Sequence, residues 1–223
     1  MSTWAVVPVK QFASAKTRLH TVLSSASRAA IARSMARDVL AALAAARRLD
    51  GCLVTGGEDA RRLAAETGCD WLSDDGAADM STAISMAAAQ LGKKGVRTML
   101  VIPGDLPALR ADDIDELLSM HHGGVSLCRA ARDGGTNALL LTPPDAIDPH
   151  FGQNSARLHL QAAVRAGLSC QQLTLPAFAR DIDTPQDLRL LNAGTGSTQT
   201  GQLLATLAQD IDNAGLPTAA ATS

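Results

Sequence analysis

Three aspartates and three basic residues stand where they could serve phosphate chemistry. Lys10, Lys16 and Arg18 fall within nine residues, in the segment that follows an apolar opening run, WAVVPV at 4–9. Such a cluster can neutralise a polyphosphate and stabilise charge that builds on it. Asp105 sits in PGDLP, directly after the apolar run TMLVI at 98–102. Asp181 and Asp183 are separated by one residue in RDIDTP. In extended backbone, positions i and i+2 share a face, so both carboxylates could flank a metal pair, while reaching one ion would need a twist or turn at Ile182. A hard cation such as Mg2+ prefers carboxylate oxygens and bridges them to phosphates. A fourth set combines GGTN at 134–137 with FGQNSARLH at 151–159. There Thr136 opens a strand-like run and Gly152 allows close backbone approach. Ser155 is a candidate N-cap at a helix start, where free amides attract an anion. His159, one turn on, reads as a buried partner or as an acid-base group. Taken singly, each set has a plainer role open to it: a solvated turn, a capping aspartate, an ordinary helix start. The opening loop lacks both Gly-x-Gly-x-x-Gly and Gly-Lys-Ser/Thr, so it is neither a dinucleotide fingerprint nor a P-loop.

The elements that must position these residues alternate. Strands are expected at 4–9, 51–55, 70–72 and 98–102, and helices at 27–48, 58–67, 81–91 and 111–121. The 27–48 segment is rich in Ala, Leu and Met and has no Pro or Gly, which favours a long helix. Gly68 and Gly92 are placed to end helices. The second half is less regular. Strands at 125–128 and 137–141 are separated by the Asp133-Gly134-Gly135 turn. A helix at 155–166, a short strand at 173–175 and a helix opening at Thr184-Pro185 follow. Alternation of this kind implies an α/β fold: one domain with a mixed, mostly parallel sheet and helices on both faces. The later strand pair suggests an antiparallel or mixed edge. In open α/β sheets ligands bind beyond the carboxyl ends of the strands, and the opening loop and Asp105 both fall there. The domain is expected to span 1–193. GTGSTQTG at 194–201 reads as a linker, and 202–223 as a short helix and frayed tail. Leu203, Leu204, Leu207 and Ile211 give that helix an apolar stripe, which should dock on its own domain or across a homodimer. With every motif before Leu188, the tail is expected to be structural.

Composition agrees. The chain has 223 residues and a mass of 23.1 kDa, is 46% hydrophobic and 19% charged, and carries a net charge of −2. A core is feasible, and with aromatics at 2% and no Tyr it must be built from Ala, Leu, Val and Ile. Near-neutral charge argues against a nucleic-acid surface. No apolar run approaches the roughly 20 residues of a membrane span, and the start lacks a signal-peptide layout, so no membrane partner and a cytoplasmic location are expected. Cys52, Cys69, Cys128 and Cys170 are scattered and read as reduced, mostly buried thiols.

In order and combination, WAVVPVKQFASAKTRL, VIPGDLPAL, DGGTNALL, FGQNSARLH and DIDTPQDL resemble the 2-phospho-L-lactate guanylyltransferase family. Its members include phosphoenolpyruvate and 3-phospho-D-glycerate guanylyltransferases of coenzyme F(420) biosynthesis. The resemblance runs from Trp4 to Leu188. It implies a nucleotide-diphospho-sugar transferase fold and transfer of GMP from GTP to a small phosphorylated acid, with pyrophosphate released. By the same similarity Asp105, Asp181 and Asp183 are the metal-binding aspartates, for Mg2+. Thr136, Gly152 and Ser155 hold the acceptor. Lys10, Lys16, Arg18 and Ser81 hold the nucleotide, and Lys16, Arg18 and Asp105 act in catalysis. The chain departs from the family at Met80-Ser81, where a Leu-Asn pair is usual. Alternatives in the same fold are a sugar-phosphate or molybdopterin nucleotidyltransferase, or a non-catalytic binding member.

Overall fold

A computed structural model describes residues 2–191 and 198–213, with side chains through residue 208. Strands β1 (Thr3–Pro8), β2 (Gly51–Thr55), β3 (Asp70–Leu72) and β4 (Thr98–Val101) alternate with helices α1 (Ser25–Ala45), α2 (Glu58–Thr67) and α3 (Met80–Lys93). Then come α4 (Ala111–Ser119), β5 (Gly124–Arg129), β6 (Thr136–Thr142), α5 (Ser155–Arg165), β7 (Cys170–Leu173), α6 (Pro185–Leu191) and α7 (Gln199–Asn213). The seven strands form one sheet in the order β3-β2-β1-β4-β6-β5-β7. Strands β1 to β4 are mutually parallel, and β6 runs antiparallel to both β4 and β5.

Alternation along the strands divides the core in two. Val7, Val54, Leu100 and Ile102 face α1, α2 and α4. Val6, Leu53, Met99 and Val101 face α3 and α5. The antiparallel pair expected at an edge lies inside the sheet instead. The first six residues of β6 are buried, and a strand apolar on both faces needs neighbours on both sides and cover above and below. The edge position falls to β7. The reversal of β6 has a direct consequence for function. With Val101 opposite Leu139, the start of β6 lies beside the end of β4, so Thr136 and Asp105 meet at one rim.

A third apolar cluster joins the loop after β1 to α6 and α7. Leu19, Leu23, Ile31 and Met35 pack there with Ile182, Leu188, Leu191 and Leu204, and Leu203 and Leu207 lie against it. Helix α7 therefore docks on its own chain. Residues 199–201, expected in a linker, form its first turn. The Asp38 carboxylate of α1 accepts from the amides of Gln199 and Thr200, each at 2.9 Å. That cap comes from 161 and 162 residues away, where no local pattern could reveal it. Residues 194–197 of the expected linker, the side chain of Ile211 and the final residues lie outside the described residues. All four cysteines are free; Cys128 alone is buried, and Cys170 is exposed. Among the described residues, no helix is long and apolar enough to cross a membrane.

Candidate active site

The loop after β1 makes two short 3-10 turns, Phe12–Ser14 and Thr17–Leu19, with Lys16 between them in the left-handed region at φ 53°. Few non-glycine residues adopt that conformation, and here it turns the Lys16 side chain inward. Its ammonium donates to Asp105 Oδ2 and to Asp183 Oδ1, both at 2.8 Å, with 9% of the side chain exposed. Arg18 Nη1 reaches Asp183 Oδ2 at 3.4 Å. Gly104 brings Asp105 to this point. A Cβ there would stand 3.2 Å from that of Ala36 on α1, so the loop approaches the helix where both residues are small.

The 181–183 segment is tied to the same rim by its backbone, with the Ile182 amide donating to the Asp105 carbonyl at 3.1 Å. Ile182 points into the third apolar cluster, while one oxygen from each of Asp105, Asp181 and Asp183 lies within 4.8 Å of the others. Asp187 sets the following turn. Its Oδ2 accepts from the amides of Asp183 (3.0 Å) and Thr184 (2.7 Å) and from the Thr184 hydroxyl (2.8 Å), and it pairs with Arg132. Threonine followed three residues later by an acid is a capping-box pattern. That signal was present in TPQD, where the sequence pointed only to a helix start.

The charges separate the carboxylates. Burial, then the negative Asp105 nearby, pushes Asp181 above the ordinary carboxylate range. Burial also pushes Asp183 upward, but Lys16, Arg132 and Arg18 outweigh it and leave Asp183 low. Lys16 loses to burial and gains more from its two aspartates, so its pKa is raised.

Beside Asp105 and Asp181 a cavity of about 130 Å³ is bounded by Thr136, Asn137, Phe151 and Gly152. Gly152 has φ +127°, a backbone state that favours glycine. Ser155 lies behind the wall. It is fully buried, and its hydroxyl pairs with that of Thr136 at 2.9 Å. It is also not the N-cap: Asn154 holds that place, at φ 59°. The amides of Ser155, Ala156 and Arg157 donate to backbone oxygens of Gly152, Gly134 and Asn154. The first turn of α5 thus keeps these donors for the fold, and Thr136 and Gly152 are what the cavity meets.

His159 completes this network, a role the sequence left open. It is fully buried, and its Nε2 accepts from the His150 amide at 2.9 Å. The ring proton therefore sits on Nδ1 and donates to Thr136 Oγ1 at 3.1 Å. Burial, with His150 as the lesser cause, pushes its pKa down to about 4. An unfolded histidine titrates near 6.5. The neutral ring thus stabilises the fold fully above about pH 6.5, and that stability is lost as pH falls through 4, roughly 3 kcal/mol in all. Urea melts from pH 7 to 4 should show this slope in the wild type and lose it in His159→Asn. Equal slopes would place His159 outside the acid response.

Neither Ser81 nor Lys10 bonds to Asp105, Asp181 or Asp183 among the described residues. Ser81 Oγ accepts from the Phe151 amide at 2.9 Å, so its side chain ties α3 to the wall of the Thr136 cavity. Lys10 is exposed and borders two larger cavities, one of about 410 Å³ that it shares with Lys16, Asp105 and Asp183, and one of about 340 Å³. Met80 borders both of these and the Thr136 cavity as well. No sequence motif marked it as the divider.

The family profile described as "Guanylyl transferase CofC like" matches residues 3–218. A phosphoenolpyruvate guanylyltransferase of Sphaerobacter thermophilus is 36% identical over 207 residues, covering 90% of this chain and 100% of its own. A 3-phospho-D-glycerate guanylyltransferase of Phenylobacterium zucineum is 34% identical over 210 residues, covering 91% and 95%. Among solved structures, a Desulfovibrio desulfuricans G20 protein, provisionally assigned as a nucleotide-diphospho-sugar transferase, superposes with a TM-score of 0.78. It is 20% identical and covers 97% of this chain and 100% of its own.

Proposed function

Since the chain belongs to the CofC-like guanylyl transferase family, we propose that it moves GMP from GTP to a small phosphorylated carboxylic acid and releases pyrophosphate. The acceptors are phosphoenolpyruvate, 3-phospho-D-glycerate or 2-phospho-L-lactate, and the product feeds coenzyme F(420) formation. The observation that carries this reading is the meeting of Lys16 and three carboxylates with the Thr136–Gly152 cavity.

The carboxylates fit a divalent cation. They offer hard oxygen donors, and Asp105 Oδ1 is buried without a hydrogen-bond partner. Asp105, Asp181 and Asp183 would hold Mg2+, which supplies charge neutralisation to the phosphates. The chain's own groups do the rest. Lys10, Lys16 and Arg18 offset the triphosphate charge. Thr136 and Gly152 seat the acid, with Ser155 and His159 fixing the Thr136 hydroxyl. An acceptor phosphate oxygen then attacks the α-phosphorus, a new P–O bond forms, and the bond to pyrophosphate breaks. A phosphate monoester is already ionised near neutral pH, so no general base is required, and positioning accounts for most of the rate.

The test is purified protein with GTP, Mg2+ and each acid in turn, followed by pyrophosphate release and product mass. One acid should yield its guanylylated diphosphate. Turnover with CTP or UTP in preference to GTP, or with none of the acids, would overturn the proposal.

A further inference from the structure

A second cavity, about 340 Å³, opens from the transfer site past Lys10 and Met80. It lacks Lys16 and the three clustered carboxylates of the candidate site. Apart from Lys10 at its mouth its charged groups are two carboxylates, Asp74 and Asp79. Acidic walls repel phosphates and favour a neutral group rich in N–H donors, since an ionised carboxylate only accepts. Thr55, 1% exposed, lines the same cavity. It shares a strand face with Leu53, which packs toward α3, and its Oγ1 is buried with no partner. An orphaned buried hydroxyl is costly unless something filling the cavity pairs with it. The two carboxylates are not equivalent. Asp79 Oδ1 caps α3, accepting from the Thr82 amide (2.8 Å) and hydroxyl (3.0 Å). The Asp74 carboxylate has no hydrogen-bond partner among the described residues and lies half-buried.

We propose that this cavity is the nucleobase subsite and that Asp74 determines the choice of guanine. Guanine carries N1–H and the 2-amino group side by side, two donors that match one carboxylate. Adenine and cytosine place an acceptor nitrogen beside their amino group, and uracil flanks its single N–H with carbonyls. All three set acceptors against the carboxylate, a mismatch that costs more than a missing contact. The assignment rests on GTP being the donor, as proposed above.

Inosine triphosphate, which lacks only the 2-amino group, tests it without altering the protein. Wild-type kcat/KM should be roughly 10-fold or more higher for GTP than for inosine triphosphate. In Asp74→Asn, kcat/KM for GTP should fall roughly 10–100-fold and that for inosine triphosphate far less, so the ratio collapses toward one. Thr55→Val, close to isosteric, should raise the KM for GTP several-fold with kcat retained. Melting curves confirm that each variant is folded. Equal use of the two nucleotides by the wild type, or an unchanged ratio in Asp74→Asn, would overturn the subsite while leaving GTP turnover intact. A wild type that ignores GTP but turns over another nucleotide would instead overturn the donor assignment.

Discussion

Asp105→Asn is expected to lower turnover by roughly 10²–10³-fold while the protein stays folded. The change keeps the side chain's size and removes its charge. Its Oδ2 is one of two carboxylate oxygens 2.8 Å from Lys16, and its Oδ1 is buried and unpaired. The backbone link from Ile182 to the Asp105 carbonyl does not depend on the side chain. Lys16 keeps Asp183, so the cost in stability should stay within about 1.5–3 kcal/mol, that of one charged hydrogen bond. Pyrophosphate release and thermal melting, each with and without Mg2+, measure the two effects separately. Asp183→Asn should behave alike, and the double variant should lose little more than either single one, as groups that act as a unit do. Near-normal turnover in Asp105→Asn would make this aspartate a turn residue only.

Truncation after Gly194 is the second large effect. It removes Leu204, 1% exposed, and the partly buried Leu203 and Leu207. At 1.5–3 kcal/mol for a fully buried leucine, the loss is on the order of 3 kcal/mol, or roughly 6–12 °C in melting temperature. Activity should fall with it. The cluster that Leu204 seals also holds Ile182, whose neighbours on each side are Asp181 and Asp183. This departs from the expectation of a purely structural tail. Turnover per folded molecule should drop at least several-fold, read by pyrophosphate release normalised to the folded fraction from circular dichroism. A truncated protein with full specific activity would separate tail from site. Asp38→Ala should give a milder version by removing the cap on α7.

The rim where the site lies was readable in the sequence, because an α/β alternation sends loops to the carboxyl ends of its strands and the charged motifs fall in those loops. What each side chain does there was less readable. Lys16 was legible as a cation facing the rim, but not that its ammonium lies between aspartates 89 and 167 residues away, a contact set by tertiary folding. Ser155 looked like an N-cap, but a left-handed Asn154 takes that place and frees the serine to turn inward. The depth of β6 was hidden because a short apolar run reads alike in an edge strand and a central one. Asp74 and Thr55 carried no pattern; only the cavity they share singles them out.

Helix α7 is the last described segment to leave the ribosome, yet it is capped by Asp38 of α1 and packs beside Leu19, which follows Arg18 by one residue. The loop after β1 and helix α7 thus seal one another. A nascent chain that already carries every charged residue of the site still lacks the apolar seal behind Ile182. The order of synthesis therefore makes competence a late event: the rim is sealed only once α7 folds back onto the loop after β1.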